Sequence, residues 1–138
     1  MLSRVPAYCA PEAAPFAGTW SCHWVNTTPK GLHNDVKRTL YVQRDGNATE
    51  RSVNDLSVST PSGRKTLHIV QACHTTAAEL RQGVLITHWA PLEQVEPAPK
   101  DMPSTLHWQT GPFTLRFTLR GDKLVEVNQE EVVFTRVR

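Results

Sequence analysis

The chain has 138 residues, a formal net charge of +2, and a composition that is 39% hydrophobic and 20% charged. This length fits one domain, and the hydrophobic fraction is high enough for a packed core and too high for a disordered chain. The charges are scattered without long runs of one sign, and no apolar stretch approaches the roughly 18 residues that cross a bilayer. We therefore expect a globular domain that neither binds nucleic acid nor spans a membrane.

The start of the chain bears on domain organisation and location. Residues 1–15 are predicted to be a flexible leader, and residues 16–138 a single folded domain. The leader lacks the apolar segment of a signal peptide, but its proline and alanine content is typical of the linker that follows a removed secretion signal. We expect an exported protein, periplasmic or secreted, with a cytosolic location as the alternative.

Hydrophobic and polar residues alternate with a period of two along most of the chain, which is typical of β-strands. The first strand begins near Gly18 and places Trp20, Cys22 and Trp24 on one face, with His23 on the other. Further strands are predicted at about 36–43, 48–58, 67–74, 82–89, 106–108, 113–120, 124–128 and 132–137. Residues 77–80 are interpreted as the approach to the strand at 82–89.

The short turns between these segments favour one architecture. Eight or nine strands that follow one another in sequence order bury their inward faces best by closing on themselves, which also removes exposed strand edges. The predicted fold class is therefore all-β, an antiparallel up-and-down β-barrel of about eight strands.

One segment interrupts the series of strands. Residues 90–104 contain four of the ten prolines together with three acidic residues. Prolines lack the backbone N–H that a β-ladder requires, so the segment is predicted to be a loop. Loops of this length inside small domains are often functional, which makes this segment a candidate interaction site.

Gly18-Thr19-Trp20 at the start of the first strand and Arg136 in the last strand carry a family resemblance. Together with the series of about eight strands, they resemble the lipocalin and calycin pattern. In that family the tryptophan of G-x-W closes one end of the barrel, and a basic side chain from a late strand packs over it. The resemblance thus implies that Trp20 and Arg136 close the barrel, and that a ligand cavity lies inside it.

Metal binding and catalysis find little support in the sequence. His68, His74 and His88 could share one outer face, but none has the close spacing that zinc sites show, so surface histidines are the favoured interpretation. The chain contains no nucleophile elbow, P-loop or dinucleotide-binding motif. We expect no metal, no cofactor and no enzymatic activity.

Cys9, Cys22 and Cys73 permit one internal disulfide bond. Cys22 and Cys73 are both predicted to point inwards from non-adjacent strands, which keeps their Cα atoms beyond the roughly 7 Å that a bridge allows. A bridge from Cys9 to the barrel is the easier geometry, and three reduced thiols are the alternative.

Two functions from different classes follow from this fold. The first is a binding barrel for a small lipophilic molecule, held in an apolar pocket lined by Trp24, Trp89, Trp108, Phe113, Leu115 and Phe117. The second is a protein-interaction module, such as an inhibitor or an accessory protein of an envelope or secretion system. It would act through the 90–104 loop or through the outer face of the 113–120 strand, which presents Thr114, Arg116, Thr118 and Arg120.

Overall fold

The described part of the chain is a closed antiparallel β-barrel of eight strands with one short extra strand and one turn of 3₁₀ helix. A computed structural model describes residues 13–29, 31–95, 111–128 and 131–137. The helix spans Ala14–Phe16, and the strands are β1 (Gly18–Thr27), β2 (His33–Val42), β3 (Ala48–Thr60), β4 (Gly63–Arg81), β5 (Val84–Trp89), β6 (Glu93–Gln94), β7 (Phe113–Arg120), β8 (Lys123–Glu126) and β9 (Val132–Arg136). The all-β barrel predicted from the sequence is confirmed.

Each barrel strand pairs with the next one in the order β1, β2, β3, β4, β5, β7, β8, β9. The last strand then pairs back with the first through Trp20 with Arg136 and Ser21 with Thr135, which closes the cylinder. The extra strand β6 lies on the edge of β4 next to β5 and pairs there with Gln71 and Ala72. Closure gives each barrel strand a neighbour on both sides, with β1 and β9 paired at two positions.

The fourth strand is longer than predicted. It runs for 19 residues and includes residues 77–80, which we expected to lead into the fifth strand. The hairpin turn falls instead at Gln82 and Gly83, which both have positive φ angles, 50° and 78°. Two successive residues of this kind form the tight turn that joins twisted antiparallel strands. The chain therefore stays extended up to Arg81.

The predicted 90–104 loop is only partly described, and its described part differs from the prediction. Residues 93–94 form β6, and the backbone N–H of Val95 donates to the carbonyl oxygen of Val70 at 2.9 Å. The prolines of this segment stand at 91, 97, 99 and 103, so the residues between the first two keep their N–H donors. Residues 96–104 lie outside the described residues.

The described part of the chain buries two hydrophobic clusters, a small one of Leu56, Leu67 and Ile69 and a larger core that fills one end of the barrel. The buried members of the larger core are Phe16, Trp20, Leu40, Val42, Ala48, Cys73, Leu85, Trp89, Phe117, Leu124 and Phe134. The 3₁₀ helix packs against this end, and Ala13 is already buried, so packed structure begins before the expected domain boundary at residue 16. Residues 1–12 of the predicted leader lie outside the described residues.

The turn between β2 and β3 closes tightly over the same end of the barrel. Gly46 has a φ of 92°, and a Cβ atom at this position would lie 2.9 Å from a methyl carbon of Leu85 and 3.7 Å from the Cβ of Ala13. Glycine suits both the backbone conformation and the close approach. Within the described ranges, no helix has the length and apolar character needed to cross a membrane.

Candidate functional site

One end of the barrel is sealed by a cap made of Phe16, Trp20 and Arg136. The indole Nε1 of Trp20 donates to the carbonyl oxygen of Phe16 at 2.8 Å, and the guanidinium carbon of Arg136 lies 4.1 Å from the centre of the Trp20 rings. Arg136 also donates to the carbonyl oxygens of Ala17, at 2.7 Å, and Pro15, at 3.2 Å. These contacts tie the segment before β1 to the last strand, in the arrangement that the resemblance implied.

Glycine precedes the tryptophan of this cap for a steric reason. Gly18 has a φ of 135°, and a Cβ atom there would lie 2.5 Å from Nη1 of Arg136. Side chains rarely adopt this backbone conformation, and a Cβ atom would also force the guanidinium of Arg136 to shift from its place beside Trp20. The Gly18-Thr19-Trp20 motif is therefore explained by the position of Arg136.

Above the core, three charged side chains meet inside the barrel. Nη2 of Arg38 lies 2.6 Å from Oε1 of Glu50 and 2.7 Å from Oε1 of Glu126, and Nε of Arg38 donates to Glu50 at 2.9 Å. Arg38 stands on β2 and Glu126 on β8, two strands that do not pair, so this contact crosses the lumen. We call Arg38, Glu50 and Glu126 the ion-pair layer.

The alternation of the strands explains why these three side chains point into the barrel. Arg38, Glu50 and Glu126 each stand two positions from a buried core residue, Leu40, Ala48 and Leu124 respectively. Residues two apart on a strand point to the same face, so all three side chains point inwards. The guanidinium carbon of Arg38 lies 5.0 Å from the ring centre of Phe134, directly above the core.

Burial sets the electrostatics of the ion-pair layer. It raises the pKa of Glu50, an effect that the neighbouring charge of Arg38 offsets only in part. Burial also acts to lower the pKa of Arg38, but the two carboxylates outweigh it and raise that pKa. Arg38 is therefore held as a cation between two acidic groups.

Two thiols stand beside this layer. Cys73 is buried, with its Sγ atom 4.0 Å from Oε2 of Glu50, and Cys22 is half-buried. Burial raises the pKa of Cys22 to about 11 and that of Cys73 to about 12, which keeps both as neutral thiols. Both are free, so neither carries the bridge to Cys9 that we considered, and Cys9 itself lies outside the described residues.

On the far side of the ion-pair layer from the core, the barrel contains a cavity of about 420 Å³. We call it the upper cavity. Its lining residues are Trp24, Asn26, Asn34, Val36, Arg38, Glu50, Ser52, Asn54, Leu92, Phe113, Leu115 and Glu126. Five of them are apolar, four are neutral and polar, and three are the charged residues of the ion-pair layer. The cavity is open to solvent and combines an apolar wall with a hydrogen-bonding wall.

The six residues predicted to bind a ligand are divided among three places. Trp24, Phe113 and Leu115 line the upper cavity. Trp89 and Phe117 do not, because they are buried in the core instead, where the Trp89 ring stacks on Phe113 at 6.0 Å and its Nε1 donates to Thr87 at 2.7 Å. Trp108 lies outside the described residues.

The prediction of an apolar pocket missed the polar half of this lining. Arg38 stands at an inward position of β2 between the hydrophobic residues Val36 and Leu40. Glu126 follows the buried Leu124 on the inward face of β8. The sequence offers one signal for the ion-pair layer, which is a charged residue at a position that alternation directs inwards. This signal predicts the direction of each side chain but not its partners. The contacts between them join strands far apart in sequence, which alternation does not reveal.

One polar atom of the upper cavity has no partner. Oδ1 of Asn34 is buried and accepts no hydrogen bond within the described part of the chain. Buried polar atoms are nearly always paired in folded proteins, so such an atom needs an explanation. An acceptor left open in a cavity can be satisfied by a donor on a bound molecule.

The histidines in the described ranges lie on the outside of the barrel. His23 contacts Asp35 at 2.9 Å, His68 contacts Asp55, and Nδ1 of His88 lies 3.1 Å from the hydroxyl of Thr114. Among the residues that the structure describes, no three His, Cys, Asp or Glu side chains are grouped closely enough to hold a metal ion.

The sequence of the chain was also compared with known proteins. No protein-family model matches it, and no curated protein matches it in sequence.

Proposed function

We propose that this protein is a non-catalytic binding barrel that holds one small amphipathic molecule in the upper cavity. The observation that carries the proposal is the unequal filling of the lumen. A hydrophobic core and the cap fill one end, whereas a cavity of about 420 Å³ occupies the space beyond the ion-pair layer. Ligand pockets in proteins typically measure about 300 to 1,000 Å³ and combine an apolar lining with a few polar groups.

The lining refines the class of molecule that was expected from the sequence. Trp24, Phe113 and Leu115 offer an apolar wall, as a lipophilic ligand requires. The base of the cavity is charged, and an apolar molecule that covered Glu50 and Glu126 would remove water from them without replacing its hydrogen bonds. A molecule with one apolar part and one polar end suits both walls.

The proposal includes a lipocalin-like relationship. The closed antiparallel barrel, the Gly18-Thr19-Trp20 motif and the stacking of Arg136 on Trp20 support it. It also includes export to the periplasm or beyond the cell, which rests on the composition of residues 5–15, most of which lie outside the described residues.

The alternative function, a protein-interaction module, stays a prediction from the sequence. Residues 96–104 of its expected loop are outside the described residues. On the outer face of β7, Thr114 contacts His88, and Arg120 is paired with Glu131 at 2.6 Å. These polar groups already have partners within the barrel, which makes them less available to a protein partner. We therefore prefer ligand binding in the upper cavity to protein interaction.

Filling the upper cavity tests the proposed function. Asn54 lines the cavity from β3, and Arg51 is exposed on the same strand. We expect the fluorescent neutral dye Nile red to bind the natural protein and Arg51→Trp equally, and Asn54→Trp at least tenfold more weakly, since the added indole takes the space of the dye. Fluorescence titration measures the affinities, and thermal unfolding checks that both variants are folded. Equal binding by a folded Asn54→Trp, or no binding by the natural protein, would contradict the proposal.

A further inference from the structure

The ion-pair layer contains more acidic groups than basic ones. It contains one guanidinium, on Arg38, and two carboxylates, on Glu50 and Glu126, and both carboxylates border the upper cavity. With all three groups ionised, the layer has a net charge of −1. The side chains of Glu50 and Glu126 are each 7% exposed, so little water is available to screen this charge.

An anionic ligand is poorly suited to this layer. Arg38 is the cation of the layer, and both carboxylates already occupy it at 2.6 and 2.7 Å. A ligand carboxylate or phosphate could pair with Arg38 only by displacing Glu50 or Glu126. The displaced side chain would be left as an unpaired buried charge, which costs several kcal/mol. The geometry favours a ligand that brings positive charge.

One of the four neutral polar residues of the lining, Asn34, points to the same chemistry. Asn34 lines the cavity together with Glu50 and Glu126, and its buried Oδ1 atom is an acceptor without a partner among the described residues. Acceptors of this kind are satisfied by N–H donors, and an ammonium group offers up to three of them.

The aromatic wall supplies a further fit. Trp24 on β1 and Phe113 on β7 line the cavity and contribute π-faces. Such faces attract cations and also stack on aromatic rings, so they can contact either part of an aromatic amine.

We propose that the molecule bound in the upper cavity is an amine, whose ammonium group is held by Glu126, Glu50 and Asn34 and whose apolar or aromatic body lies against Trp24 and Phe113. This inference rests on the proposed function, and it adds the chemical class of the ligand. Burial raises the pKa of Glu50, and a cation beside that carboxylate would offset the cost of its ionisation, which agrees with the same assignment.

Three probes that share one skeleton test the inference. Tryptamine, 3-ethylindole and indole-3-propionate carry a positive, a neutral and a negative group on the same indole. We expect calorimetric titration of the natural protein to show that tryptamine binds at least tenfold more tightly than either of the other two. Glu126→Gln should lose this preference, because it removes one carboxylate of the layer. Glu79→Gln should keep the preference for tryptamine. This substitution removes the same charge, but on the outside of the barrel, where Glu79 pairs with Arg81.

The outcomes separate the inference from the proposed function. Binding of 3-ethylindole or indole-3-propionate as tight as that of tryptamine would overturn the amine assignment and leave the binding barrel intact. A folded Glu126→Gln protein that still prefers tryptamine would also overturn the assignment, and Glu50→Gln repeats this comparison should Glu126→Gln fail to fold. If none of the three probes binds while Nile red does, the amine assignment fails and the proposed function stands; if Nile red does not bind either, both fail.

Discussion

Arg38 is the residue that divides the interior of this barrel. Its guanidinium lies above Phe134 and the core, and it contacts carboxylates that reach it from β3 and β8. Taking three charges out of water costs several kcal/mol for each ion, and apolar residues of similar size would often be as stable. A charged layer that costs stability and borders a cavity is the kind of feature expected of a binding site.

The titration of Glu50 provides a prediction at the residue scale. In the unfolded chain its pKa has the ordinary value of 4.5, and burial raises the pKa in the folded chain. The folded state therefore binds the proton more tightly. Glu50 stabilises the fold most below about pH 4.5, and this contribution is lost as the pH rises through the raised folded pKa. The groups that face Glu50 are Arg38, Glu126, Cys22 and Cys73.

We expect Glu50→Gln to gain stability relative to the natural protein as the pH rises from about 4.5 to 7.5, because glutamine does not ionise. Urea unfolding at several pH values gives the free energies, and their difference between the two proteins removes the effect of all other titrating groups. Glu93→Gln, at an exposed position, is the control and should track the natural protein closely. A difference that stays constant over this range, or that changes in the opposite direction, would refute the assignment.

At the scale of elements, β6 anchors the segment that follows β5. It pairs with Gln71 and Ala72 of β4, and Leu92 just before it packs on the core and lines the upper cavity. The segment that the sequence predicted to be a loop therefore contributes to the wall of the candidate site. We therefore expect that shortening this segment across β6 destabilises the barrel.

Val95 tests the role of β6. Its side chain is exposed, but its N–H donates to the carbonyl oxygen of Val70, a residue that is almost fully buried. Val95→Pro removes this donor and should lower the free energy of unfolding by about 1 to 2 kcal/mol. Val95→Ala keeps the donor and should change stability by less than about 0.5 kcal/mol. Urea unfolding compares the two variants, and equal stabilities would mean that β6 does not hold the segment to β4.

The strands also show which structural features the alternation in the sequence can predict. Alternation correctly indicated which residues point inwards, for example Trp20 and Trp24 on β1 and Phe117 on β7. It did not indicate how deep each residue lies along the barrel axis. Depth depends on the stagger between paired strands, which places Trp89 and Phe117 in the core but Trp24 and Leu115 in the cavity wall.

Irregular features were the other source of error. The turn at Gln82 and Gly83 requires a glutamine with positive φ, and the bulge between Thr75 and Ala77 shifts the register of β4 against β5. Neither has a strong local signal, so the end of the fourth strand was placed too early. The ion-pair layer was missed for a related reason, because Arg38 and Glu126 are 88 positions apart in the chain.

At the scale of the whole molecule, the described barrel is a cylinder with two unlike halves. The half that contains the cap is closed by Trp20, Arg136 and the N-terminal 3₁₀ helix, and its interior is filled. The other half has charged, polar and apolar side chains around an open cavity. The filled end supports the shape of the open end. A cavity that is formed before the ligand binds avoids the cost of ordering side chains on binding.

Native mass spectrometry tests this account most directly, because it counts the molecules that one barrel holds. The natural protein, Asn54→Trp and Arg51→Trp would each be purified without denaturation and mixed with tryptamine. Our account predicts one bound tryptamine on the natural protein and on Arg51→Trp, and none on Asn54→Trp. Equal occupancy of all three proteins, or no bound tryptamine on the natural protein, would contradict it.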